Sequence, residues 1–216
     1  NCLEEFERCV KELGFVGAIV NPDPGADGQI PGMNDEYWYP LYAKAQELDV
    51  PLMIHPSFSR DQRWDIVPMN YQVNNVIFEF LATITLESSR VFLDFPRLKV
   101  HVSHFGGALN RFLMNDESHY FGNKDMGDNL TFDTCAHDIE FIKAAIHQKG
   151  VHRTLFGTEA PGAGSHGRRP DDDPLAPGRP GDDLVPIIGG LDTLSEEDKI
   201  NIFNKNPLRI YSKLKA

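Results

Sequence analysis

Long apolar runs are missing from this sequence. No segment approaches the roughly 18 consecutive apolar residues of a membrane span, so a spanning helix and a membrane partner are not expected. Positive charge is short as well: 21 Lys and Arg stand against 32 Asp and Glu, a formal net charge of −11. That balance argues against nucleic acid as the main partner, yet leaves room for a small acidic substrate, because a local Arg cluster outweighs a distant net field. Cysteine is scarce, and Cys2, Cys9 and Cys135 have no metal-type spacing. Cys2 and Cys9 share an apparent helix face and read as core packing, and reduced thiols fit a cytoplasmic compartment. Neither GxGxxG after the first strand nor a phosphate loop occurs, which disfavours a dinucleotide-binding sheet. No signal peptide is visible, although the chain starts at "NCLEEFERCV" without a Met.

What is present is an alternation. Residues 2–13 read as a helix with Leu3, Phe6, Val10 and Leu13 on one stripe, ended by Gly14. "FVGAIV" then reads as a buried strand. Asn34 is placed to cap a helix carrying Trp38, Leu41, Tyr42, Ala45 and Leu48. The strand "VPLMIH" follows, then a long helix over about 74–94, the strand "KVHVSH", a helix near Leu109–Met114 and the strand "LTFDTC". A helix at about 138–149 leads to "TLFGTE", and Ser195 with Asp198 forms a capping box for a last helix. Five short strands, starting near 16, 51, 99, 130 and 154 and separated by helices, predict βα units and a parallel sheet. The expected fold is therefore α/β, a (β/α) barrel, with all of residues 1–216 in a single domain.

Barrels of this type carry their reactive groups at the C-terminal ends of the strands. The polar residues there are Asn21 and Asp23, His55, His104, the run Asp133 to His137, and Glu159. One His after a buried strand is ordinarily a hydrogen-bonded structural residue, and one Glu in "TLFGTEAP" is explained by a turn it caps. Two His and a Glu on three different strands together favour a divalent-metal or acid–base site. His101 is read as structural or outward-facing, on the premise that it and His104, three residues apart along a strand, point to opposite faces.

"PLMIHPS", "KVHVSHFGG" and "LFGTEAPG", in that order and with a terminal "NPLRIY", resemble the amidohydrolase superfamily. The similar branch contains aminocarboxymuconate semialdehyde decarboxylase and 4-oxalomesaconate hydratase, and "GFVGAIVNPDPG" and "LTFDTCAH" are nearer the hydratase group. The resemblance implies a (β/α)8 barrel of which this chain holds strands four to eight. It implies a divalent metal, zinc first, with manganese or iron as alternatives. His55 would be a metal ligand, Glu159 a ligand to the metal or its water, and His104 the residue that orients or deprotonates that water. The family's first strand ends in His-x-His, and no such pair occurs here. The chain thus reads as the C-terminal portion of a longer polypeptide that pairs with the missing portion, or as a homo-oligomer.

The implied reaction is hydration of an unsaturated di- or tricarboxylate. A non-oxidative decarboxylase or hydrolase of the same family, or a non-catalytic assembly subunit, are the competing readings. The stretch 162–192 reads as an active-site loop, with Arg168 and Arg169, and Arg60 after the second strand, placed to clamp carboxylates. Asn21 and His137, at strand mouths, are candidate pocket residues.

Overall fold

In the computed structural model the described residues are 2–56, 60, 76–110, 128–160 and 183–214. Five strands form one parallel sheet: β1 (Ala18–Val20), β2 (Leu52–Ile54), β3 (Val100–Val102), β4 (Leu130–Asp133) and β5 (Thr154–Leu155). Their order in space is their order in sequence, β1-β2-β3-β4-β5. The expected strand positions are all borne out.

Alternation along each strand separates two faces. Val20, Ile54, Val102 and Phe132 are in register across the sheet and are buried. They join one continuous core with Phe6 and Val10 of α1 (Cys2–Lys11), and with Tyr42, Ala45 and Leu48 of α2 (Tyr39–Leu48). Ala82 and Leu86 of α3 (Val76–Glu87), Phe92 of α4 (Val91–Asp94), and Ile142 and Ile146 of α5 (Ile139–Lys149) complete that side. Ile187 and Ile188 of α6 (Val185–Gly189) belong to the same core, so near its end the stretch 162–192 holds a helix with one side buried and Val185 exposed. The other face carries Ile19, Met53, His101 and Thr131 in one register row, and Ile19 is 73% exposed. A sequential parallel sheet with helices packed on one face is the wall of a (β/α) barrel, and the row from Ile19 to Thr131 lines its inner side.

The remaining helices are α7 (Glu196–Ile200), continued by a π-helical turn into α8 (Asn206–Ile210). The capping box at Ser195 is present: its Oγ accepts from the Asp198 N–H while the Asp198 carboxylate accepts from the Ser195 N–H. Several local expectations change. Asp35 rather than Asn34 is the cap, accepting from the Tyr37 N–H at the start of a short 3-10 turn that precedes α2. The helix drawn over 74–94 breaks between Glu87 and Val91. There the Ser89 hydroxyl donates to Leu86 O and accepts from the Val91 N–H, competing with the helical ladder. Leu109 is not helical, and the rest of the helix expected near it lies outside the described residues. Leu13 is 53% exposed, Cys2 is exposed and Cys9 half-buried, so neither cysteine of α1 packs the core.

For His101 the structural alternative holds and the outward-facing one is corrected. It shares the inner face with Met53 and Thr131, is buried, and its Nδ1 lies 2.7 Å from the Tyr211 hydroxyl. The parity rule assumed that the strand runs on to His104. In fact β3 ends at Val102, and the chain turns out of the sheet before that residue.

Candidate active site

Four strand ends supply the groups that meet above the inner face. His55 follows β2 directly, His104 lies two residues past β3, Cys135 two past β4, and Glu159 four past β5. The mounting of His104 is unusual. His104, Phe105, Gly106 and Gly107 have φ of 51, 53, 75 and 82°, four left-handed residues in succession. Such backbone is disfavoured for residues with a Cβ and concentrates where the surroundings impose it. At Gly107 the surroundings are explicit: a Cβ there would lie 2.1 Å from Val76 O and 2.6 Å from Phe80 N of α3. The turn therefore sits directly against α3.

That contact brings Glu79 of α3 under the His104 ring. Nδ1 of His104 is 2.9 Å from both Glu79 oxygens, and Nε2 is 2.9 Å from Glu159 Oε2. Glu79 is fully buried, and a buried carboxylate needs a partner of this kind. The Cys135 thiol donates to Glu159 Oε2 over 3.1 Å. The His55 ring lies beside the group, its centroid 5.7 Å from that of His104. Its Nδ1 is 3.0 Å from Pro56 O; a carbonyl only accepts, so Nδ1 is the donor there.

Electrostatics follow from this packing. Burial pushes Glu79 up to about 8, partly offset by His104. For His104 burial works against the charged ring, but the contacts to Cys135, Glu159 and Glu79 outweigh it and the net shift is upward. Burial also pushes the Cys135 thiol up to about 12.

The arrangement fits a divalent cation. Both imidazoles have Nδ1 engaged by an acceptor, the second-sphere pattern that presents Nε2 to a metal. Ligand atoms of His104, Cys135 and Glu159 all lie within 4.8 Å of one another. His55 flanks that set rather than belonging to it.

Of the residues singled out from sequence, His55, His104 and Glu159 are brought together. Asn21 is half-buried and its Oδ1 accepts from the Asp23 N–H, shaping the loop after β1. Arg60 is exposed, with its backbone N–H on Ala26 O of that same loop, and His137 is exposed on the bend before α5. Arg168 and Arg169 lie outside the described residues. Glu79, Asp133 and Cys135 were not assigned to the site from sequence. Glu79 had a signal: an acid near the start of the apolar helix "VIFEFLATITLE" has to be buried or break the stripe.

A sequence model of the family described as Amidohydrolase matches residues 1–213. The 2-keto-4-carboxy-3-hexenedioate hydratase of a Sphingobium species is 34% identical over 224 residues, covering 99% of this chain and 62% of its own length. A gamma-resorcylate decarboxylase of a Rhizobium species is 34% identical over 113 residues, 49% of this chain and 35% of that protein. The crystal structure of 4-oxalomesaconate hydratase from Rhodopseudomonas palustris superposes with a TM-score of 0.79 at 30% identity, over 98% of this chain and 60% of that one. A dihydroxybenzoic acid decarboxylase from Polaromonas, solved with bound manganese, shares the fold at 21% identity with a TM-score of 0.65. The chain thus spans about 60% of the length of the two hydratases it matches.

Proposed function

This chain belongs to the amidohydrolase family, and from that membership we propose that it supplies the catalytic face of a metal-dependent lyase adding water to an unsaturated di- or tricarboxylate. One observation carries the reading: an imidazole, His104, is held between a fully buried carboxylate and a second carboxylate at the strand ends, with His55 alongside.

In this reading His55 Nε2 and the Glu159 carboxylate hold a divalent cation. Zinc suits the borderline nitrogen and oxygen donors, with manganese or iron as alternatives. When bound, the cation polarises a substrate oxygen and makes water more acidic. Glu79 keeps a proton at Nδ1 of His104 and fixes the ring plane, so that Nε2 faces Glu159 and the substrate space. Held between Glu79 and Glu159, the His104 ring carries a proton at Nε2, which it gives to the departing hydroxyl in the dehydrating direction; having given it up, Nε2 takes the proton of the attacking water in hydration. Arg60, Arg168 and Arg169 are assigned to the substrate carboxylates, and Asn21 and His137 to the pocket wall. Three free cysteines suit a reducing, cytoplasmic location.

The test is an assay of the protein reconstituted with zinc or manganese. Oxalomesaconate is expected to gain water, while aminocarboxymuconate semialdehyde and gamma-resorcylate release no CO2. Turnover of a decarboxylase substrate in preference to oxalomesaconate would replace this reading by the decarboxylase one. His55→Ala is expected to lower bound metal and activity together; unchanged metal content removes His55 from the site.

A further inference from the structure

Strand β4 lies between the strands that carry His104 and Glu159, and the tripeptide at its end touches both neighbours. Asp133 is buried on the inner face, and its Oδ1 accepts two backbone N–H groups: that of His104 at 2.9 Å and that of Cys135 at 3.1 Å. Thr134 does the same service toward β5. Its hydroxyl donates to Gly157 O at 2.9 Å and accepts from Gly157 N at 3.1 Å, satisfying both backbone groups of one residue two positions before Glu159. Cys135 then reaches Glu159 itself, on the oxygen that faces His104 Nε2. Gly157 packs so tightly that a Cβ there would lie 2.8 Å from Asp133 Cβ.

We propose that Asp133-Thr134-Cys135 is a positioning clamp that sets the separation and alignment of His104 Nε2 and Glu159 Oε2. The proposal rests on the reading of the site given above. Its physical need is clear from the backbone. The turn at His104 and Phe105 is left-handed without glycine, and such a conformation persists only where contacts over-determine it. Gly106 N on Ser103 O, Gly107 N on His104 O and Thr83 Oγ1 on Gly106 O tie the far side of the turn. The Asp133 carboxylate ties the near side, at the residue whose side chain matters. Without it the His104 amide is left unpaired in a water-poor corner, and the turn relaxes toward ordinary dihedrals that swing the ring. On the opposite flank, a Thr134 that lost its hydroxyl would free Gly157 and, with it, Glu159. The clamp uses Asp133 Oδ1 as the acceptor of both amides, while Oδ2 lies 3.3 Å from His101 Nε2, so an amide oxygen at the Oδ1 position should serve.

The experiment compares wild type, Asp133→Ala, Asp133→Asn and Thr134→Val in steady-state hydration kinetics. Each is paired with the downfield proton NMR resonance of the His104 imidazole N–H, identified by its absence in His104→Gln. In Asp133→Ala, kcat is expected to fall by about 10- to 100-fold, as for removal of other outer-sphere partners, and the resonance to move or vanish. KM is expected to stay within about threefold of wild type, because the lost contact orients the reacting groups rather than holding substrate. Asp133→Asn should return kcat to within about threefold of wild type with the resonance in place, and Thr134→Val should lose about tenfold in kcat. A kcat and a resonance unmoved in Asp133→Ala overturn the proposal. So does an Asp133→Asn variant as impaired as Asp133→Ala, since charge would then be the operative property, and so does an unimpaired Thr134→Val. If the wild type hydrates none of the substrates, the hydratase reading fails by itself. The clamp is then judged on the resonance: displaced in Asp133→Ala and kept in Asp133→Asn supports it, and any other pattern overturns it.

Discussion

Replacing Gly107 by Ala puts the packing of the site under direct test. Two costs add. The residue has φ of +82°, and left-handed backbone costs an L-residue roughly 1–2 kcal/mol. The new methyl would also lie 2.1 Å from Val76 O and 2.6 Å from Phe80 N, so α3 must retreat. A retreat on the order of 1 Å is an overpacking cost of about 1–3 kcal/mol. The sum, about 2–5 kcal/mol, is a large part of a typical domain's 5–15 kcal/mol. Gly14 supplies the control: its φ is +73°, but a Cβ there meets nothing within 4 Å. Gly14→Ala should therefore show the backbone cost alone, about 1–2 kcal/mol. With a urea slope near 2 kcal/mol/M, Gly107→Ala should lower the unfolding midpoint by about 1–2.5 M and Gly14→Ala by no more than about 1 M. Since α3 carries Glu79, Gly107→Ala should also lose activity in urea-free buffer, whereas Gly14→Ala should not. Equal midpoint shifts in the two variants would refute the claim that the His104 turn is wedged against α3.

Three other outcomes are expected. Glu79→Leu leaves the buried Nδ1 of His104 unpaired, which should cost about 1–3 kcal/mol of stability and about 10- to 100-fold in kcat. Glu79→Gln, which keeps an acceptor oxygen, should be milder on both counts by thermal melting and kinetics. Ser195→Ala removes the capping box of α7 and should cost about 1 kcal/mol in chemical denaturation with no change in kinetics. Lys99 and the Ser212 hydroxyl hold the Asp49 carboxylate below its ordinary range, so its contribution is present above that range and is lost as pH falls through the folded value. Asp49 is 59% exposed, which limits the effect to about 0.5 kcal/mol. The urea midpoints of wild type and Asp49→Asn should differ slightly at pH 7 and converge once the pH has fallen below the folded value.

Much of this architecture is legible in the sequence because the strands are short apolar runs. "LMI", "VHV" and "LTFD" announce themselves, and a strand-end rule then selects His55, His104 and Glu159. What the rule misses comes from outside the sheet. Glu79 sits on a helix that reads as apolar packing, and only the left-handed turn at "HFGG" brings the ring to it. The same turn defeats the parity rule for His101, since alternation holds only while the chain stays extended. Cys135 is passed over for another reason. Its spacing from Cys2 and Cys9 carries no metal signal, and the carboxylate beside it, 24 residues on, is met only in space.

The order of the strands has a consequence for biosynthesis. Because the five strands lie side by side in chain order, the segment bearing His55 leaves the ribosome before the one bearing His104, and the sheet can grow strand by strand behind them. The acid at Nε2 of His104, 55 residues further on, arrives only after β5. A nascent chain short of β5 has both imidazoles and Glu79 but lacks Glu159, so the contact between His104 and Glu159 is deferred until synthesis has passed that strand.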